Sequence, residues 1–326
     1  MRLFPTASLS RLASLSLLAG LGAALLAVSG CQSTETQASA TAPQTAAAPE
    51  AVLAPNYPGL TDNPQAGGPD LTFNGRPASE AANAPTITAK AAILVDSRGR
   101  VLYEKNADTR LPTASTQKLL LGIMIAERGG LSQQMTIEEP DTWAEPTKMG
   151  IKPGQVYTRE ELLRAVLVRS SNDIARALAR DHSGSVSAFA ANMNVRARQL
   201  GMHNSYFTNA SGLPTPSGQY STARDMAILG QAALRNGFVR DAVRTKGLYF
   251  RFPDGTTKPI SNTNQVLKHF PYCTGAKTGY TNAAGRCLVS SASYGGKNVV
   301  AVILGSKTPN VWTESEALLK YGLGMY

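Results

Sequence analysis

Three short strings constrain this chain more than any other feature: Ser115-Thr-Gln-Lys118, Ser170-Ser-Asn172 and Lys277-Thr-Gly279. They occur in that order, at intervals of 55 and 107 residues. Each alone has a plain structural reading. Ser115 would cap one helix, Ser170 and Asn172 another, and Lys277 would be a solvated strand lysine. Three such strings in order, each in a suitable local setting, ask for a common explanation.

That explanation is nucleophilic chemistry. A serine hydroxyl is a weak nucleophile at neutral pH and needs a base within hydrogen-bond reach. Residues 116–125 (TQKLLLGIMI) read as a helix, with Pro112, Thr113 and Ser115 as start signals. Spacing i, i+3 then puts Ser115 and Lys118 on one face, with the Ser115 N–H at a helix N-terminus that favours an oxyanion. Leu119, Leu120 and Leu121 crowd Lys118. Lost hydration, and a second cation such as Lys277, would lower its pKa and free a neutral amine. The second string falls between helical stretches 159–169 and 173–180, where a loop would present Ser170 as a proton relay and Asn172 as a substrate-gripping amide. The third lies in an extended run, 272–280, whose Gly275 and Gly279 suggest close approach by a ligand or another backbone. Lys277 would supply positive charge and the Thr278 hydroxyl would bind a carboxylate.

S-x-x-K, S-x-N and K-T-G in this order form the signature of active-site serine enzymes that open peptides or β-lactams. Over about residues 86–326 the chain resembles the low-molecular-mass penicillin-binding proteins, the D-alanyl-D-alanine carboxypeptidases of serine peptidase family S11. The resemblance extends to AAILVDSRGRVLYEKNADTRLPTASTQKL, MGIKPGQVYTREELLRAVLVRSSNDIARALA, SGQYSTARDMAILGQA and CTGAKTGYTNAAGRCLVSSA. It implies Ser115 as the acylated nucleophile, Lys118 as its base and Ser170 as the proton relay. Asn172, Lys277, Thr278, Gly279 and Tyr280 would bind substrate, with the N–H groups of Ser115 and Tyr280 as the oxyanion hole. Two departures stand out. Tyr280 replaces the histidine that follows K-T-G in many members. An arginine that some members place near the substrate carboxylate is missing from Ser261-Asn-Thr-Asn264, so Lys307, Thr278 or Lys277 would have to serve.

The N-terminus reads as an export signal: Arg2 and Arg11, an apolar stretch over 15–28, then Val28-Ser-Gly-Cys31, which resembles a bacterial lipobox. The expected division is a signal peptide at 1–30, lipidated Cys31 heading a disordered Ala/Pro/Thr-rich tether through residue 84, and a catalytic domain at 85–326. Such a tether spans roughly 40 Å. Gln32, not aspartate, suggests by resemblance a lipoprotein facing the periplasm on the outer membrane. Some relatives carry a β-rich C-terminal domain and an amphipathic anchor; here the lipid would be the only anchor. The formal charge is +10, of which Arg2 and Arg11 contribute two. A basic exported protein is drawn to anionic membranes or wall polymers, although solubility alone is an equal reading. No basic-aromatic block suggests nucleic acid, and no pattern suggests a metal or other cofactor.

Strand-like runs at 91–95, 100–104, 247–252, 272–280, 286–292 and 298–305 bracket a mainly helical middle, and an amphipathic helix at 314–321 closes the chain. This predicts an α+β fold, one antiparallel sheet flanked by helices with an inserted helical subdomain. The resemblance implies the serine β-lactamase/DD-peptidase fold, with the nucleophile in the cleft between sheet and helices. Cys273 and Cys287, on consecutive strands, would be either a disulfide or two buried thiols. His182, His203 and His269 read as surface or capping residues, and Trp143 and Trp312 as structural.

The activity so implied is removal of the terminal D-Ala from peptidoglycan stem peptides through an acyl-enzyme on Ser115, with β-lactams as inhibitors that acylate the same serine. Alternatives are a DD-endopeptidase, separated only by cleft width, a β-lactamase and a catalytically idle wall-binding protein. Against the β-lactamase stand Ser171 in place of the aspartate of S-D-N and the lack of an E-x-x-L-N-like stretch before Lys277. The intact triple argues against the idle protein.

Overall fold

Residues 91–95 and 299–304 are apolar at every position, not at alternate ones. Strands written that way are buried on both faces. The computed structural model, which describes residues 83–325, has this arrangement. The expected signal peptide, Cys31 and all but the last two residues of the tether lie outside the described residues. The described elements run β1 (Ala91–Asp96), β2 (Val101–Lys105), α1 (Lys118–Arg128), β3 (Gln134–Thr136), β4 (Val156–Thr158), α2 (Arg159–Arg169), α3 (Asn172–Ser183), α4 (Val186–Gln199), α5 (Ala223–Arg235) and α6 (Gly237–Arg244). They continue with β5 (Gly247–Arg251), β6 (Thr257–Ser261), α7 (Val266–His269), β7 (Cys273–Thr281), β8 (Gly285–Tyr294), β9 (Lys297–Ser306) and α8 (Asn310–Leu323).

The main sheet is antiparallel, in the order β2-β1-β9-β8-β7. The chain enters it at β1, leaves for the helical region and returns at β7, as the bracketing of helices by strands predicts. Side chains sort by parity. Val300, Val302 and Leu304 of β9 join the core shared with the helical region, whereas Val299, Ala301 and Ile303 join a second core beneath α8. Helix α1 runs through the first core with Lys118 to Ile125 all buried, so KLLLGIMI has no polar stripe. Thr158 and Glu161 form a capping box that starts α2, and Ser170, at φ +70°, ends it in the left-handed region.

Several sequence readings are decided or changed here. Cys273 and Cys287 are free thiols, both buried. Their strands do pair, but Cys273 lies opposite Ala292 and Cys287 opposite Gly279. Cys273 and Gly279 are six residues apart on β7, roughly 20 Å, well beyond disulfide reach. Trp143 is 65% exposed and belongs to no core, while Trp312 packs against the core beneath α8, as a structural residue would, and also lines the main cleft. His182 is half-buried and packs edge-on against Phe189, where burial pushes its pKa down to about 4. Strand β6 (TKPIS) carries no apolar alternation and contains Pro259; it survives as one arm of a two-stranded ribbon with β5, where an edge tolerates proline.

Candidate active site

The turn that carries Ser115 is tighter than a helix N-terminus. Residues Ala114–Gln117 form a 3-10 turn, and the α-helix starts only at Lys118. Ala114 stands at φ +48°, which costs a non-glycine residue about 1–2 kcal/mol. The turn is clamped from two sides by glycines. A Cβ on Gly279 would lie 2.9 Å from Ser115 N, and one on Gly212 would lie 2.1 Å from Ala114 O. The close approach inferred at Gly279 is therefore to the turn that carries Ser115; a Cβ on Gly275 would instead meet the Val243 side chain.

Lys118 is fully buried, and its Nζ lies 2.8 Å from Ser115 Oγ, 2.8 Å from Asn172 Oδ1 and 2.7 Å from Ser211 O. Burial, then the charge of Lys277, hold its pKa well below the usual lysine range, against an opposing pull from Asp173. A neutral amine fits these partners. With its two hydrogens on the carbonyl oxygens of Asn172 and Ser211, its lone pair is left toward Ser115 Oγ, whose hydrogen turns to it from Ser211 O. Lys277 is also buried, and desolvation lowers its pKa to about 7; its Nζ donates to Thr278 O at 3.0 Å.

Asn172 opens α3, and its amide is committed at both ends, Oδ1 to Lys118 and Nδ2 to Pro146 O. The structure thus makes it a positioner of Lys118, with one Nδ2 hydrogen left to face the cleft. Ser170 lines the same cleft, yet its Oγ makes no hydrogen bond among the described residues. Thr278 Oγ1 shares a 2.6 Å hydrogen bond with Thr263 Oγ1. Tyr280 is half-exposed, and its OH donates to Asn282 Oδ1.

Ser115, Ser170, Asn172, Thr278, Gly279 and Tyr280 line one cleft of about 720 Å³, between the β7 edge and the helical region. Its walls contain Arg169, Lys268 and Arg286 and no acidic residue. Lys307, which the sequence offered as a carboxylate ligand, is absent from the wall. Arg286 is fixed there: its guanidinium stacks 4.4 Å over the Tyr280 ring and its Nε donates to Thr308 Oγ1. The sequence held a signal for it, since β7 and β8 form a hairpin that pairs Tyr280 with Arg286.

Ser211 was also missed. Its carbonyl accepts from both Ser115 Oγ (3.1 Å) and Lys118 Nζ. The segment is held by Asn209, whose Oδ1 accepts from Ser211 N and Gly212 N and whose carbonyl accepts from Gln117 Nε2. Asn209-Ala-Ser-Gly212 is a recognisable Asx-type turn, but no local pattern says that its carbonyl faces a lysine 93 residues earlier.

Residues 78–308 match the peptidase S11 family, described as D-alanyl-D-alanine carboxypeptidase. The chain is 35% identical over 229 residues to the D-alanyl-D-alanine carboxypeptidase DacF of Bacillus subtilis, covering 68% of this chain and 58% of that one. It is 36% identical over 264 residues to DacC of Escherichia coli, covering 76% and 64%. The chain thus spans less than two thirds of the length of these two relatives. A solved D-alanyl-D-alanine carboxypeptidase from Mycobacterium tuberculosis superposes with a TM-score of 0.72 at 30% identity, over 78% of this chain and 97% of that one. With the ordered motifs, the lysine-serine geometry and the antiparallel sheet all in agreement with these matches, the chain belongs to the S11 peptidase family of D-alanyl-D-alanine carboxypeptidases.

Proposed function

We propose that the protein is a serine D-Ala-D-Ala carboxypeptidase acting on peptidoglycan stem peptides. The observation that carries this reading is the contact between fully buried Lys118 and Ser115 Oγ, 2.8 Å apart, in a lysine whose other partners are carbonyl oxygens. Ser115 Oγ attacks the carbonyl carbon of the penultimate D-Ala while its proton passes to Lys118 Nζ. The N–H groups of Ser115 and Tyr280 stabilise the oxyanion. Ser170, on the cleft wall, relays the proton from Lys118 to the departing amine. Terminal D-Ala leaves, water attacks the ester, and Lys118 serves again as base. Lys277, with a pKa near 7, gains charge when an anionic substrate approaches. Thr278 and Arg286 hold the substrate carboxylate, Arg286 taking the part of the arginine missing from 261–264.

A β-lactam acylates Ser115 by the same route. Its leaving amine stays tethered by the opened ring, so the adduct is long-lived. The protein is exported and held by lipid on Cys31; Val28-Ser-Gly-Cys31 supports this. No helix among the described residues is long and apolar enough to cross a membrane. An unmodified N-terminus by mass spectrometry would refute the anchor. The activity is tested by incubation with a D-Ala-D-Ala pentapeptide and with cross-linked muropeptide. Release of free D-Ala from the first is expected; cleavage of the second alone would replace this reading with an endopeptidase, and steady penicillin hydrolysis with a β-lactamase.

A further inference from the structure

A second cation-lined cavity, of about 360 Å³, lies at the opposite end of β7 from the Lys277-Thr-Gly279 string. Thr274, on its wall, precedes Gly279 by five residues, roughly 17 Å of strand. Arg235 comes to it from the last turn of α5, and Arg240 and Arg244, four residues apart, from one face of α6. No acidic residue lines the cavity. Among the described residues, Arg235 and Arg244 make no hydrogen bond or ion pair, and the carboxylate paired with Arg240 is that of its exposed neighbour Asp241, at 3.4 Å. Burial lowers the pKa of Arg235, with no carboxylate opposing it.

The rest of the wall is suited to a small organic body. The Thr274 and Ser291 hydroxyls bond each other at 2.8 Å at one side. Leu234 and Val299 supply apolar surface. Gln231 is only 6% exposed; its Nε2 donates to Asp96 O at 2.8 Å, and its Oε1 is left without a partner among the described residues. Three guanidiniums that cannot shed their charge, and that bond oxyanions two at a time, match a phosphate better than a single carboxylate. The Thr274 and Ser291 hydroxyls on the same wall match a hydroxyl next to that phosphate.

We propose that this cavity binds the phosphate of a hydroxyl-bearing phosphate ester, such as a glycerol phosphate. The ester is a soluble compound or the headgroup of an anionic phospholipid. The site is separate from the catalytic cleft and independent of the reaction assigned to it.

The test is isothermal titration calorimetry on the full chain with four probes at matched ionic strength. These are inorganic phosphate, glycerol 3-phosphate, dihexanoylphosphatidylglycerol below its micellar concentration, and acetate. One saturable site is expected for the phosphate compounds and none for acetate. Arg240→Gln and Arg244→Gln should each weaken it by about tenfold, the loss of one charge-assisted contact. Arg198→Gln, at an exposed arginine ending α4 that has no partner among the described residues, should leave it unchanged. Tighter binding of glycerol 3-phosphate assigns the site to soluble esters; tighter binding of the short-chain lipid assigns it to a headgroup. Absence of saturable binding, equal binding of acetate, or equal weakening by Arg198→Gln overturns the proposal. All three substitutions are at exposed positions, so the fold is preserved.

Discussion

The two ends of β7 each gather cations, but of different kinds and in different states. At one end, Lys118 and Lys277 are almost completely buried, their pKa values are depressed, and their nitrogens are bonded to neutral oxygens. At the other, Arg235, Arg240 and Arg244 rim a cavity and keep their charge. The difference follows from side-chain chemistry. An ammonium group driven out of water can release its proton and become a base, whereas a guanidinium cannot and remains a binder. Burial is therefore the device that converts positive charge into reactivity, and exposure keeps it for recognition.

The largest effect should come from Ser115→Ala, which is expected to abolish D-Ala release and labelling by a fluorescent penicillin. Persistent labelling would place the nucleophile elsewhere. Next is Lys118→Arg, which keeps a cation but removes the neutral amine. Acylation should fall by about 10²–10⁴-fold, the range of general-base catalysis, while circular dichroism reports a retained fold. Near-normal acylation would mean that the catalytic end works with charged groups, like the arginine end.

Gly279→Ala tests the close approach. Its Cβ would press on Thr113 O and Ser115 N, so acylation should drop by about 10²-fold and stability by about 1–3 kcal/mol. A wild-type rate would show that the turn has room to spare.

A smaller effect concerns pH. Lys277 has a folded pKa of about 7 against about 10.5 unfolded, so between these values the unfolded chain binds more protons. Stability should therefore rise with pH in that window, by at most about 1.4 kcal/mol per pH unit from this residue. Cys273 and Cys287 oppose the trend only at higher pH, since burial raises both to about 11. Urea unfolding from pH 7 to 8.5 should show a steeper rise for wild type than for Lys277→Met. Equal slopes would mean that Lys277 stays protonated. The smallest effect should be that of Arg244→Gln on acylation, within about twofold of wild type. A larger change would couple the two ends of β7.

Much of this was legible in the chain because the relevant signals are local. The apolar runs 91–95 and 299–304 announce buried strands, the i, i+3 pair Ser115 and Lys118 meets across one turn, and the boundaries of α2 match the 159–169 helical pattern. What escaped depends on tertiary registration. Ser211 acts through a backbone carbonyl, which has no residue signature. Arg286 matters through its stacking on Tyr280 and its place on the wall, and the wall exists only once α8 packs beneath the sheet. The open question of Cys273 and Cys287 was settled by strand register, which adjacency in sequence cannot report. Asn172 stands on the cleft wall, and what the sequence could not report is that folding also ties its amide to Lys118 and Pro146.

The central claim is that burial depresses the Lys118 pKa and so makes its amine available as a base. It is tested most directly by NMR of protein labelled with ¹³C at lysine Cε and titrated with pH. The Lys118 signal is identified by its loss in Lys118→Arg, and that of Lys277 by its loss in Lys277→Met. The account predicts a Lys118 transition well below 10.5, displaced from the bulk of the surface lysines. A Lys118 signal that titrates with those surface lysines, or above them, would contradict it.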